Sequence, residues 1–339
     1  MVRRLSRTAL DVAGLLLFAD THSNWNGLVD TTTAAFQREL LRATGQYRWW
    51  NGRLYEVGIL QRLSLTMDRW LLDSQLQFMV LRKRFFEDEV VAELEAGAKQ
   101  LVILGCGFDT LGLRMSRQFK DVQVWDVDLP RMIERRHKGH ERLESPPPSN
   151  YHLLDADLTR TASPSNEPSP CNGSVGVEGS NPLQDLCRTD LWSPKSETVF
   201  VAEGLLMYLD EPSVLRLVSS LQQITAGQGA FFFSHLSLDN KGHPRYGPHS
   251  WMVRFGLRSV GEPMKWGIHP DSVADWGSQF DMLPHDCNRR SNLVERYSKL
   301  STVHEGQTLG LPEQSIEFLA GLRWGPDGND QPRASSTSF

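Results

Sequence analysis

Leu101-Val-Ile-Leu-Gly105-Cys-Gly107-Phe-Asp-Thr110 reads as a buried strand that turns sharply on two glycines. Four consecutive apolar residues suit a strand covered on both faces, as in a parallel sheet. Glycine serves a strand-to-helix turn whose backbone bends tightly and lies close to a ligand. In such sheets an acidic residue about 20 positions on, at the end of the next strand, binds a ribose hydroxyl. Val122-Gln-Val-Trp-Asp-Val-Asp128 is that next strand, and Gly105 to Asp128 spans 23 positions.

Ordinary βα turns also carry paired glycines, so the turn gains weight only from its surroundings. Tyr151-His-Leu-Leu154 leads into Asp155-Ala-Asp157-Leu158, and Thr198-Val-Phe-Val-Ala202 leads into Glu203-Gly204. Ligands of open α/β sheets sit outside the carboxyl ends of the strands. Gly, Asp, Asp and Glu at four such ends therefore form one polar rim. No basic cluster of the kind that cradles phosphates stands in it. The rim suits a neutral-to-cationic nucleoside such as S-adenosyl-L-methionine. Gly105-x-Gly107-x-x-Thr110 lacks the third glycine of the dinucleotide fingerprint, which argues against a nicotinamide-dependent oxidoreductase. A catalytically silent binding module on the same fold is the other alternative.

These segments resemble the leucine carboxyl methyltransferase family, including its bacterial branch of small-molecule O-methyltransferases. The resemblance rests on Leu81-Arg-Lys-Arg-Phe-Phe-Glu-Asp88, Gln100-Leu-Val-Ile-Leu-Gly-Cys-Gly-Phe-Asp-Thr110, Val127-Asp-Leu-Pro130, Asp155-Ala-Asp-Leu158 and Ala202-Glu-Gly-Leu-Leu-Met-Tyr-Leu209. Gly261-Glu-Pro-Met-Lys-Trp-Gly-Ile268 is similar to a late segment of the bacterial branch. The resemblance implies a class I methyltransferase: an α/β, doubly wound, mostly parallel Rossmann-like sheet with an N-terminal helical cap. It implies S-adenosyl-L-methionine as cofactor, with Gly105 and Gly107 under its methionine part and Asp128 on its ribose. Asp157 and Leu158 would flank the adenine, and Glu203 would sit near the ammonium. Arg82 would pair with the cofactor's carboxylate, which a guanidinium can grip bidentately. Cys106 stands where the family usually has alanine. The implied acceptor is a carboxylate or hydroxyl of a small molecule, or a protein C-terminal carboxylate. The N-terminal region lacks the tyrosine- and tryptophan-rich segment of enzymes that methylate a phosphatase tail, and Leu5-Ser-Arg-Thr-Ala-Leu10 is closer to the bacterial branch.

With 339 residues, 40% of them hydrophobic, the chain is long enough for one large domain with additions. The expected organisation is a helical cap over 1–95, a cofactor domain over 96–325 and a flexible tail over 326–339. Thirteen of the 20 residues in 161–180 are Ser, Pro, Gly or Asn, so 161–196 reads as a disordered insertion. A formal net charge of −5 argues against a nucleic-acid partner. The basic cluster from Arg131 to Arg142 reads as a solvated helix face. Four cysteines without CxxC spacing suggest reduced thiols and a cytoplasmic location, and give no grounds for metal. No stretch of about 18 apolar residues occurs, so no membrane span is expected. Arg3, Arg4 and Arg7 before an apolar run mimic a targeting peptide, but Leu5, Ala9, Val12, Ala13, Leu16 and Leu17 have the spacing of a core-facing helix. Tyr47, Trp49, Trp50 and Tyr55 could line an acceptor pocket, though they read first as packing. His235, His243, His249, His269 and Tyr208 are the candidate bases for a hydroxyl acceptor. None is assigned, because a carboxylate acceptor needs no base.

Overall fold

β1 (Gln100–Leu104) and β4 (Thr198–Ala202) are buried at every position, the signature of strands in the middle of a two-sided sheet. β2 (Gln123–Asp128), β3 (Tyr151–Asp155) and β5 (Gly229–Leu236) continue the parallel array. β6 (Leu283–Asn288) and β7 (Glu317–Trp324) close it with antiparallel pairings. The order is β3-β2-β1-β4-β5-β7-β6. The computed structural model describes residues 7–21, 28–47, 75–159, 183–245, 261–288, 293, 296–297 and 317–325.

Alternation along each strand divides the core in two. Leu101, Ile103, Val124, Val199, Val201, Ala230 and Phe232 face one side. There they meet α1 (Arg7–Thr21), α3 (Gln75–Glu95) and α4 (Leu111–Gln118). Val102, Leu104, Trp125, Val127, Phe200, Phe231 and Phe233 face the other, against α7 (Glu211–Ile224) and α8 (Val273–Ser278). Phe231, Phe232 and Phe233 are fully buried, each contributing roughly 1.5–3 kcal/mol of transfer free energy. The helices start where their caps dictate. Asp30 accepts from Thr32 N at 2.9 Å before α2 (Thr31–Ala43), and Asp210 accepts from Ser213 N at 3.0 Å before α7. Pro212 sits in the first turn of α7, where its missing N–H costs nothing. α5 (Pro130–His140) also opens on proline.

The described part of 1–95 is helical. It shares a core with the sheet rather than standing apart, since Leu15, Leu16, Phe18, Phe78, Leu81 and Phe85 pack with strand residues. α1 is half-buried at Ala9 and Val12 and buried without a break over 13–19, so it is enclosed over more of its circumference than the one-face spacing predicts. The expected disordered insertion extends too far. Residues 183–196 fold onto the sheet through the short α6 (Gln184–Cys187), with Leu183, Leu186 and Trp192 buried. Trp192 packs edge-on against Trp125 and its indole N–H donates to Ile224 O at 3.3 Å. Two leucines and a tryptophan supply the apolar surface that the preceding Ser/Pro/Gly composition lacks. Residues 160–182 and the 326–339 tail lie outside the described residues. Cys106 is a free buried thiol, whereas Cys187 is disulfide-bonded, which corrects the expectation of reduced thiols throughout. Isolated cysteines without motif spacing do not announce a bridge. No helix among the described residues is long and apolar enough to cross a membrane.

Candidate cofactor-binding site

The carboxyl ends of β3, β2, β1 and β4 lie side by side, so Gly105, Gly107, Asp128, Asp157, Leu158 and Glu203 come to one edge of the sheet. Strand order reverses between β1 and β4. The Gly105 turn and Glu203 therefore flank the switch point, where open α/β sheets bind ligands.

The turn is built as its glycines suggest. Gly105 and Gly107 adopt φ of 68° and 50°, in the left-handed region. Gly105 N and Cys106 N donate to Val127 O at 2.8 and 3.1 Å, tying the turn to β2. A Cβ on Gly105 would lie 2.9 Å from Leu205 Cδ1, and one on Gly107 would lie 3.1 Å from Ala9 Cβ in α1. Asp128 Oδ2 accepts from Gly107 N at 2.7 Å, and Oδ1 accepts from Leu129 N at 2.7 Å. Burial raises its carboxyl above the usual range, and the two N–H donors oppose that. Each oxygen keeps a lone pair for a ribose hydroxyl. Asp157 Oδ1 accepts from Thr159 N at 3.0 Å and Thr159 Oγ1 at 2.6 Å, while Leu158 is buried among the side chains below the rim.

Arg82 is held by two carboxylates of the chain itself. Its Nε donates to Glu203 Oε1 at 2.9 Å and its Nη1 to Glu317 Oε1 at 2.6 Å. Two of its five N–H groups are thus engaged, and Nη2 lies near Gly204. Arg82 and Glu203 hold each other. Glu203 Oε2 is buried without a well-directed donor, although the Lys83 ammonium lies 3.0 Å away as an ion pair. Lys83 donates to Asp109 Oδ2 at 2.7 Å. Burial disfavours the Asp109 charge, but Lys83, Arg114 and the Leu111 N–H hold its carboxyl down at about 2. Burial likewise lowers Lys83, yet Asp109 and Glu203 raise its pKa above the ordinary value.

Lys83, Asp109 and Glu317 were not singled out from the sequence. Lys83 and Asp109 stand inside the quoted motifs, so their signal was present. Glu317 reaches the rim only because it pairs with Leu236 across β7 and β5. A narrow crevice beside this cluster is lined by Leu16, Leu28, Thr33, Lys83, Asp109 and Glu203, among others. His235 lies in β5, buried, its ring stacked on Phe318 at 5.7 Å, and burial keeps it neutral with a pKa of about 4. His243 and His269 are on the exterior beside Asp239 and Asp271. Tyr208 is half-buried at the end of a 3-10 turn, and Tyr47 lies against the Arg42 guanidinium. Trp49, Trp50, Tyr55 and His249 lie outside the described residues. Among the described residues no group of three or more His, Cys, Asp or Glu could hold a metal ion.

A nucleoside with an ammonium end fits this edge: the glycine turn leaves no room for side chains, Asp128 can accept, and Glu203 brings a buried carboxylate whose Oε2 is met by the Lys83 ammonium. Residues 32–166 match the family model of leucine carboxyl methyltransferase. The match covers four of the motifs quoted above. A "Putative S-adenosyl-L-methionine-dependent methyltransferase" of Parafrankia sp. is 25% identical over 149 residues, 44% of this chain and 41% of that protein. A protein of the same description from Mycobacterium tuberculosis (strain ATCC 25177 / H37Ra) is 28% identical over 194 residues, 56% of this chain and 54% of that protein. The chain thus spans about half, or less, of the length of these curated relatives. A solved duf574 family protein from Streptomyces avermitilis superposes with a TM-score of 0.50 at 14% identity, over 91% of this chain and all of that one. The α/β Rossmann-like fold is shared with it.

Proposed function

We propose that this chain is an S-adenosyl-L-methionine-dependent O-methyltransferase acting on a carboxylate or hydroxyl of a small molecule, with a protein C-terminal carboxylate as the other acceptor class. The observation that carries this reading is the rim: a glycine turn, two aspartates and a buried glutamate, gathered at the switch point of one sheet. The family match and the names of the relatives support it.

The cofactor, when bound, supplies a methyl group on an activated sulfonium leaving group. What remains for the protein is placement and exclusion of water. Asp128 accepts from the ribose while the Gly107 N–H keeps its carboxylate oriented. Glu203, fixed by Arg82, would share its second oxygen between Lys83 and the cofactor's ammonium. Lys83 and Arg82 Nη2 are the cations nearest the carboxylate end. Asp157 and the Leu158 backbone border the adenine. A carboxylate acceptor arrives already ionised near neutral pH, so no base is required of the described residues.

Isothermal titration with S-adenosylhomocysteine tests the reading. Micromolar binding supports it, and no heat from folded protein sinks it. Transfer of a labelled methyl group into cell extract, separated by size, then sorts the acceptors. Label in the small fraction supports a metabolite, and label in protein bands supports the carboxyl-tail class.

A further inference from the structure

Arg136, on α5, is fully buried, which corrects the reading of the whole 131–142 basic cluster as a solvated helix face. Its Nη2 donates to Asp126 Oδ2 at 2.6 Å and to Tyr151 OH at 2.7 Å, while Tyr151 OH donates to the same Asp126 oxygen at 2.6 Å. Its Nη1 donates to Gly107 O at 3.1 Å and to Asp109 O at 2.6 Å. One guanidinium thus joins β2, β3 and α5 to two carbonyls of the glycine turn. Gly112, at the start of α4, makes space for this cluster, since a Cβ there would collide with Asp126 Oδ1.

Such a cluster needs a reason. Taking an ion pair out of water costs several kcal/mol, and an apolar pair of similar volume is often no less stable. Asp126 stands between Trp125 and Val127, points to the same side as Val124, and is flanked across the sheet by Ile103 and Leu153. The turn, for its part, holds two left-handed glycines and has carbonyls that face inward with no strand partner. On the adjoining peptide unit, whose Cys106 carbonyl accepts from Asp109 N at 2.8 Å, the Gly107 N–H is aimed at Asp128.

We propose that Arg136, anchored by Asp126 and Tyr151, is a positioning residue that sets the conformation of the 105–109 turn and, through the Gly107 N–H, the orientation of Asp128. Its effect on cofactor affinity rests on the function proposed above; its effect on the turn does not. The test uses the full chain as wild type, Arg136→Lys and Tyr151→Phe. Amide hydrogen exchange without ligand is read beside calorimetry with S-adenosylhomocysteine. Lysine cannot reach two carbonyls and the carboxylate together. Arg136→Lys should speed exchange of the 105–111 amides at least tenfold, with β4 and β5 amides unchanged, and weaken S-adenosylhomocysteine about tenfold. Tyr151→Phe keeps both charges and should show the same pattern at about threefold; it decides the question if Arg136→Lys does not fold. Exchange in the turn within twofold of wild type in the folded variants overturns the proposal. So does acceleration spread evenly over the sheet, which a purely structural role would produce. A wild type that binds no S-adenosylhomocysteine removes the methyltransferase reading, while the exchange data still decide whether Arg136 holds the turn.

Discussion

Two buried arginines serve the same sheet edge in different ways. Arg136 is bound to backbone carbonyls, a tyrosine and an aspartate, in a cluster closed to solvent. Arg82 is bound to carboxylates alone, and one of them, Glu203, has its other oxygen 3.0 Å from the Lys83 ammonium at the rim. The first arrangement fixes a backbone. The second holds a charged side chain in place while leaving part of its capacity open. A binding edge needs both, because an acceptor is useful to a ligand only if its frame does not move.

The largest expected effect falls on the open cluster. Arg82→Met should lower stability by about 3–5 kcal/mol in urea unfolding, because it removes the buried guanidinium that Glu203 and Glu317 share and leaves their negative charges facing each other. A loss below about 1 kcal/mol would mean that water already reaches them, which breaks the contrast with Arg136. Next, Asp128→Ala should weaken S-adenosylhomocysteine at least tenfold by calorimetry, about 1.4 kcal/mol, with the fold retained. Glu203→Gln keeps an acceptor for Arg82 but removes the charge. It should weaken S-adenosylhomocysteine about fivefold and leave 5′-methylthioadenosine, which lacks the amino-acid end, unchanged. Equal losses for both ligands would place Glu203 away from the ammonium.

The smallest effect concerns pH. Burial, with Arg136 nearby, pushes His140 from 6.5 down to about 3 in the folded chain. The unfolded chain therefore binds more protons between those values. This contribution to stability is full above about pH 6.5 and is lost as pH falls toward 3. His140→Phe, which keeps a ring against Tyr151, should flatten the decline of the urea midpoint between pH 6 and 4. Asp126 works in the opposite direction. Burial raises its carboxyl to about 6, so its contribution is present below about pH 3.8 and declines as pH rises through 6. An unchanged acid slope in His140→Phe would show that His140 is hydrated in the folded chain.

Local sequence carries a great deal here. The apolar runs at 101–104 and 199–202 are strands because a segment covered on both faces is built mainly from apolar residues. The two glycines stand where φ turns positive, and Asp128 ends the next strand, so the rim follows from strand ends and the rule of the switch point. The antiparallel β7 was not legible, since Glu317-Phe-Leu-Ala-Gly-Leu-Arg-Trp324 has a glycine in its middle and no clean alternation. The fold of 183–196 was missed because the composition before it dominates a local window.

By itself, then, the order of residues determined which segments become strands, where the chain must bend and which carboxylates meet at one edge. These depend on side-chain burial and backbone freedom over a few neighbours. Only the tertiary structure decided who partners whom. Arg82 meets Glu317 across 235 positions and Lys83 meets Asp109 across 26, and no local pattern encodes such distances. Whether a buried charge faces a ligand or faces another residue is settled by the packing of whole elements, because in a low-dielectric interior each charge takes whichever opposite charge the fold brings within reach.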